Sequence, residues 1–147
     1  IPCVVIGKGR GYAEKVKIFI TENKLENYFI FLENIANSEL PEFYKNATAF
    51  IYPSLYEGFG IPILEAMASG CPVITSHMSS MPEVAGEAAL YFYPYHAHLI
   101  AEKIIQVTED SDLRNEMIKK GFLQSELFVA KKNTEQVMQI YKSLVVK

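Results

Sequence analysis

Ala49-Phe50-Ile51-Tyr52-Pro53-Ser54-Leu55-Tyr56-Glu57-Gly58-Phe59-Gly60-Ile61-Pro62-Ile63-Leu64-Glu65-Ala66-Met67-Ala68 runs from a bare apolar segment through a glycine turn into an apolar segment of different period. Residues 49–52 are too short and too apolar to keep a solvated face, which predicts a strand buried on both sides. Gly58 and Gly60 permit a tight turn and close backbone approach. Pro62 suits the first turn of a helix, so a helix is expected from about Ile61, its free amides directed back at the strand end. Strand, glycine turn and helix start in this order can hold an anion such as a diphosphate.

The same alternation extends in both directions. Residues 3–6 form a β-branched run that stops at Gly7, and Ala13, Val16 and Ile20 follow at helical spacing. Residues 28–32 are a second strand. After it, Ser38 can cap a helix carrying Leu40, Phe43, Tyr44 and Ala47, with Pro41 tolerated in its first turn. Residues 72–75 and 88–92 are further apolar strands. These runs predict an α/β chain with a Rossmann-like parallel sheet of about five strands covered by helices on both faces. Beyond Pro94 only helices are expected, with stripes at Ile100, Ile104 and Val107 and at Leu113, Met117 and Ile118. The last stripe, Val137, Ile140, Tyr141 and Leu144, is amphipathic and needs a surface to dock on.

With 147 residues, half of them hydrophobic, the chain can bury the core of one domain, and residues 1–147 are read as one. Fourteen Lys and Arg against 17 Asp and Glu leave a net charge of −3, which argues against non-specific attraction to nucleic acid or an anionic membrane. No apolar run reaches the roughly 20 residues of a membrane span, and no basic segment precedes an apolar one at the start. Cys3, inside an apolar run, and Cys71, before Pro72, make neither a disulfide framework nor a zinc cluster. Both are read as reduced core residues of a cytoplasmic protein.

Glu65 is the residue that needs explaining. Ile61, Leu64 and Ala68 share its face while Ile63, Ala66 and Met67 cover the rest, so the helix is apolar all round and is expected to be buried. A carboxylate inside it must accept hydrogen bonds from a ligand or a structural partner. A vicinal diol such as that of a ribose offers two donors at suitable spacing. Glu57, about two helical turns away, could then address the other end of the same molecule. The residues alone leave open that Glu65 bonds backbone amides and Glu57 is a solvated loop charge.

Glu57-Gly58-Phe59-Gly60 to Glu65 resembles the E-x7-E signature of retaining family 4 glycosyltransferases with the GT-B fold. The resemblance also takes in Gly7-Lys8-Gly9, Phe31-Leu32, Leu40-Pro41, Tyr44, Asn46-Ala47, Tyr52-Pro53-Ser54, Glu65-Ala66-Met67-Ala68, Gly70-Cys71-Pro72-Val73-Ile74 and Pro82-Glu83-Val84. It implies the C-terminal, nucleotide-sugar-binding domain of such an enzyme, with a separate N-terminal domain supplying the acceptor side. By position, Glu65 would hold the ribose hydroxyls and Glu57, the catalytic candidate, would face the donor sugar. Gly58, Phe59, Gly60 and Ile61 would contact the sugar or distal phosphate. Gly7 and Lys8 after the first strand, and Glu33 and Ile35 after the second, would complete the donor contacts. The implied reaction is metal-independent glycosyl transfer from a UDP- or GDP-sugar to an acceptor hydroxyl with retention at the anomeric carbon. No further cofactor is implied.

The family has a strand–helix unit ahead of Ile1, carrying an Arg and a Lys that grip the diphosphate. Neither that unit nor the N-terminal domain lies in these residues, and Lys8 and Arg10 are the nearby cations. The chain is therefore expected to be a fragment that does not turn over alone. In the cell it is expected in the cytoplasm, with a peripheral membrane position open for a full-length enzyme. Where the family has glycine after the second strand, near the base, this sequence has Glu33-Asn34. A reading of another class is a folded scaffold piece without ligand affinity, self-associating through exposed surface such as the Val137–Leu144 stripe. The runner-up enzyme reading is dinucleotide binding at Gly7-Lys8-Gly9-Arg10-Gly11 with Glu33 as the ribose acid. Tyr12 stands where the third glycine belongs, and that reading leaves Glu57 and Glu65 without a role. His77, Ser79 and Ser80 are either ligand contacts at the strand end or an ordinary turn. His96 and His98 read as surface or capping residues, not as a metal site.

Overall fold

Short β-branched runs and the glycines and prolines between them set the element boundaries in a computed structural model of the chain. It describes residues 1–9 and 11–145, with side chains left aside at 130–132 and 145. Arg10, paired with Lys8 in the sequence reading, lies outside the described residues. Two compact units, Ile1–Leu40 and Pro41–Lys147, are each taken by themselves.

In the first unit β1 (Cys3–Ile6) leads to α1 (Tyr12–Glu22), a 3₁₀ turn (Glu26–Tyr28) and β2 (Phe29–Leu32). β1 and β2 are parallel, with Cys3 opposite Phe29 and Ile6 opposite Leu32. α1 ends where Asn23 Nδ2 donates to the Phe19 carbonyl at 2.8 Å and Lys24 turns into the left-handed region. Two strands and one helix do not supply the layers that bury both faces of a sheet. Accordingly β1 is exposed along its length, which corrects the expectation that every strand is covered on both sides and that Cys3 is a core residue.

The second unit holds β3 (Phe50–Tyr52), β4 (Val73–Ser76) and β5 (Ala89–Phe92), paired in parallel in that order. All five strands predicted from the sequence form, and each pairing within the ladder of two and the ladder of three is parallel. α2 (Leu40–Asn46) precedes β3, α3 (Ile61–Ala68) joins β3 to β4, and α4 (Met81–Ala85) with a 3₁₀ turn (Gly86–Ala88) joins β4 to β5. At the approach to α2 it is Glu39, and not Ser38, whose side chain bonds, accepting from the Ala36 amide at 2.9 Å.

Side chains on a strand alternate between faces, and β3–β5 use both. Phe50, Tyr52, Val73, Ala89 and Tyr91 join Ile63, Ala66, Met67 and Met81 in one core. Ile51, Ile74, Leu90 and Phe92 face the other way, with Ile100, Ile104, Val107, Leu113 and Met117. The second core belongs to α5 (Ala97–Glu109) and α6 (Ser111–Glu126). Asp110 caps α6 through the Leu113 amide at 2.8 Å, and Arg114 Nη1 donates to the last carbonyls of α5, Val107 and Thr108. α6 also crosses α3 closely, because Gly121 has no side chain where Met67 packs: a Cβ there would lie 3.3 Å from Met67 Cγ. The stripe on α7 (Ala130–Val145) is exposed, reaching 71% at Leu144. Among the described residues no helix is long and apolar enough to cross a membrane.

Candidate functional site

The turn between β3 and α3 is fixed from beneath by hydroxyls of the neighbouring strand and its following loop. Thr75 Oγ1 donates to the Tyr52 carbonyl at 3.1 Å, and Ser76 Oγ donates to the Ser54 carbonyl. Ser79 Oγ reaches the Glu57 carbonyl at 2.9 Å, and Ser80 Oγ lies 3.1 Å from the Glu57 carbonyl and 2.8 Å from that of Phe59. Parallel pairing of β3 with β4 puts both strands' C-terminal ends at one edge, so residues some 20 positions apart in sequence meet there. Ser79 and Ser80 thus spend their hydroxyls on backbone. The His77 ring packs against Tyr91 and Tyr93, with centroids 5.4 and 6.1 Å away.

This tethering gives the turn a polarity. The carbonyls of Glu57, Phe59 and Gly60 are occupied, whereas the N–H groups of Gly58, Phe59, Gly60 and Ile61 have no acceptor among the described residues. Gly60 caps α3 at φ 105°, a conformation glycine adopts without strain, and Pro62 follows in the first turn as expected. Ile63 N–H closes back on the Gly60 carbonyl at 3.0 Å. Open amides at a helix start carry partial positive charge and suit an anion.

Two carboxylates flank these amides. Glu57, half-buried, accepts at Oε1 from Tyr52 OH at 2.7 Å and from Ser54 Oγ at 2.9 Å. Glu65 Oε2 accepts from Tyr44 OH at 3.2 Å. Glu65 is exposed, not buried as expected from an all-apolar helix, and Ile61 on the same face is 59% exposed. Ile63, Ala66 and Met67 are buried in the first core and Leu64 is half-buried against it, while Ile61, Glu65 and Ala68 are exposed. Burial and the neighbouring carboxylates push the Tyr52 phenol up to about 12 and the Tyr44 phenol higher still, burial being the larger cause in both. Both therefore remain protonated donors at neutral pH.

Sequence reasoning gave Tyr44, Tyr52 and Ser54 no role. The available signal was a phenol at a core-facing position, where its hydroxyl needs a partner.

The remaining candidates lie on the first unit. Gly7, at φ 141°, follows β1 and donates its N–H to the Leu32 carbonyl at 3.0 Å; Lys8 beyond it is exposed. Glu33 is exposed and Ile35 half-buried, both just past β2. Between them Asn34 takes φ 59°, so of the pair standing where the family has glycine it is Asn34 that adopts the left-handed turn. Among the described residues no group of three His, Cys, Asp or Glu is placed to hold a metal ion.

A family model described as "Glycosyl transferases group 1" matches residues 1–124. The chain belongs to the group 1 glycosyltransferases. The O-antigen chain mannosyltransferase B of Escherichia coli is 35% identical over 142 residues, 96% of this chain. The chain spans 37% of that relative's length. The C-terminal domain of a group 1 glycosyl transferase (LpcC) from Francisella tularensis superposes with a TM-score of 0.76 at 30% identity, over 86% of this chain and 69% of that one. Anabaena HepE in complex with UDP reaches a TM-score of 0.89 at 21% identity, over 97% and 41%. The fold of this glycosyltransferase domain is thus the Rossmann-like α/β arrangement of the GT-B structures, as the sequence predicted.

Proposed function

We propose that residues 1–147 form the nucleotide-sugar-binding domain of a retaining family 4 glycosyltransferase, which transfers a sugar from a nucleoside diphosphate to an acceptor hydroxyl without a metal ion. What carries the reading is the pair Glu57 and Glu65 on either side of the open amides of Gly58–Ile61. Glu65 Oε1 is available to the ribose diol and Glu57 Oε2 to the donor sugar. The amides and the helix start between them face the distal phosphate, where negative charge grows as the glycosidic bond breaks. Fixed donors of this kind stabilise a leaving diphosphate without reorganising during the reaction. From the resemblance, Gly7, Lys8, Glu33 and Ile35 on the first unit are assigned to donor binding. The acceptor and its site belong to an N-terminal domain in this reading. A mannosyl donor is the first to test, given the name of the E. coli relative.

Calorimetric titration with UDP, GDP, ADP and their sugars tests the proposal. One nucleotide is expected to bind saturably and to lose affinity roughly tenfold or more in Glu65→Ala, as for loss of a charge-assisted hydrogen bond. A folded chain that binds none of them would sink it. The exposed stripe Val137, Ile140, Tyr141 and Leu144 favours a second reading, a non-catalytic piece that pairs with its own copy. A dimer in solution whose melting is unmoved by any nucleotide would decide for it.

A further inference from the structure

Three aromatic rings connect the two carboxylates. Tyr44 on α2 meets Phe50 edge-on with centroids 5.2 Å apart, and Phe50 stacks on Tyr52 at 5.6 Å. The two ends of this row are phenols, and each donates to a different glutamate, Tyr44 to Glu65 and Tyr52 to Glu57. All three rings are half-buried against the first core, so the positions of both hydroxyls are set by packing.

We propose that Tyr44 and Tyr52 are positioning residues, one for each carboxylate of the donor site. The inference rests on the donor-site reading above. A glutamate side chain has three rotatable bonds and loses that freedom when it grips a ligand. A phenol held in a packed row presents its O–H from a fixed place, so the carboxylate is oriented before the ligand arrives. The pattern of oxygens also matters. A carboxylate oxygen has two lone-pair sites, and Tyr52 with Ser54 fills both on Glu57 Oε1. Oε2 accepts no hydrogen bond among the described residues, so its capacity is unspent. On Glu65 the phenol takes Oε2, leaving both sites on Oε1 for a pair of vicinal hydroxyls.

The two phenols should therefore act on different ends of one ligand. The test is titration of the whole chain with the nucleoside diphosphate that binds and with its sugar, using Tyr44→Phe, Tyr52→Phe and Ser54→Ala. Both Phe variants keep the ring row and remove one oxygen. Tyr44→Phe is expected to weaken nucleotide and nucleotide sugar alike by about tenfold, and to do nothing further in a Glu65→Gln background. Tyr52→Phe and Ser54→Ala are expected to leave the nucleotide unchanged and to weaken only the sugar form, several-fold, an effect absent in Glu57→Gln. Equal losses for both ligands in all three variants, persisting in the Gln backgrounds, would mean a purely structural role and overturn the inference alone. Wild-type chain that binds no nucleotide would remove the donor-site reading and this inference with it.

Discussion

Ser80 Oγ lies 2.8 Å from the carbonyl of Phe59, tying the loop after β4 to the turn before α3. The same oxygen is 3.1 Å from the Glu57 carbonyl, so one serine serves both sides of Gly58. Ser80→Ala should cost about 1 kcal/mol in urea unfolding, the net worth of an ordinary hydrogen bond. Because Glu57 lies on this turn, the variant should also weaken nucleotide-sugar binding. Unchanged stability would show that Thr75, Ser76 and Ser79 hold the turn without it.

Gly58 and Gly60 are two residues apart yet should respond differently to a methyl group. Gly60 sits at φ 105° with Ile63 Cδ1 3.4 Å from a Cβ built there, whereas Gly58 has nothing within 4 Å and no positive φ. Gly60→Ala is expected to destabilise by about 1–3 kcal/mol, and Gly58→Ala by less than about 0.5 kcal/mol. Equal effects in denaturant melts would mean that the left-handed cap does not govern this turn.

Alkaline pH should loosen the second unit in a defined window. Burial raises the Cys71 thiol from 9.0 to about 12, partly opposed by a backbone hydrogen bond at Phe50. Burial also raises Tyr52 and Tyr91 from 10.0 to about 12. A group whose folded pKa lies above its unfolded value holds its proton more tightly when folded. Its stabilisation is complete below the unfolded value and is lost as pH climbs through the folded one. Melting temperature should therefore be insensitive to these groups up to about pH 9 and fall from there to about pH 12. Cys71→Ala should remove the earliest part of the fall. At neutral pH a thiol reagent should modify exposed Cys3 in the native chain and buried Cys71 only after unfolding.

The strand–helix alternation is legible in the sequence because strands buried between helices are continuous apolar runs, and Gly7, Gly60 and Pro62 punctuate them. Periodicity says which residues are apolar, but not which apolar face this chain's own elements cover. Hence Glu65 and Ile61 were expected inside and lie outside, as does Cys3 on β1. α4 has five residues, too few to show a helical period. The hydroxyl contacts of Ser76, Ser79 and Ser80, and the phenols of Tyr44 and Tyr52, depend on which residues the strand order brings together. That information is not local. Glu57 and the glycine turn could be singled out from their spacing, while the groups that hold them could not.

The close crossing of α6 over α3 at Gly121 and Met67 limits how far the chain can be shortened. A version ending after β5 would strip the cover from Met67, whose helix begins at the glycine turn. Past α6 the ring of Phe128 meets Phe59 edge-on at 5.7 Å, reaching the turn itself. A shortened chain that keeps this packing at the turn therefore extends at least to Phe128. The helices α5 and α6, which trail the strands in the sequence, supply the cover for β3–β5 and α3.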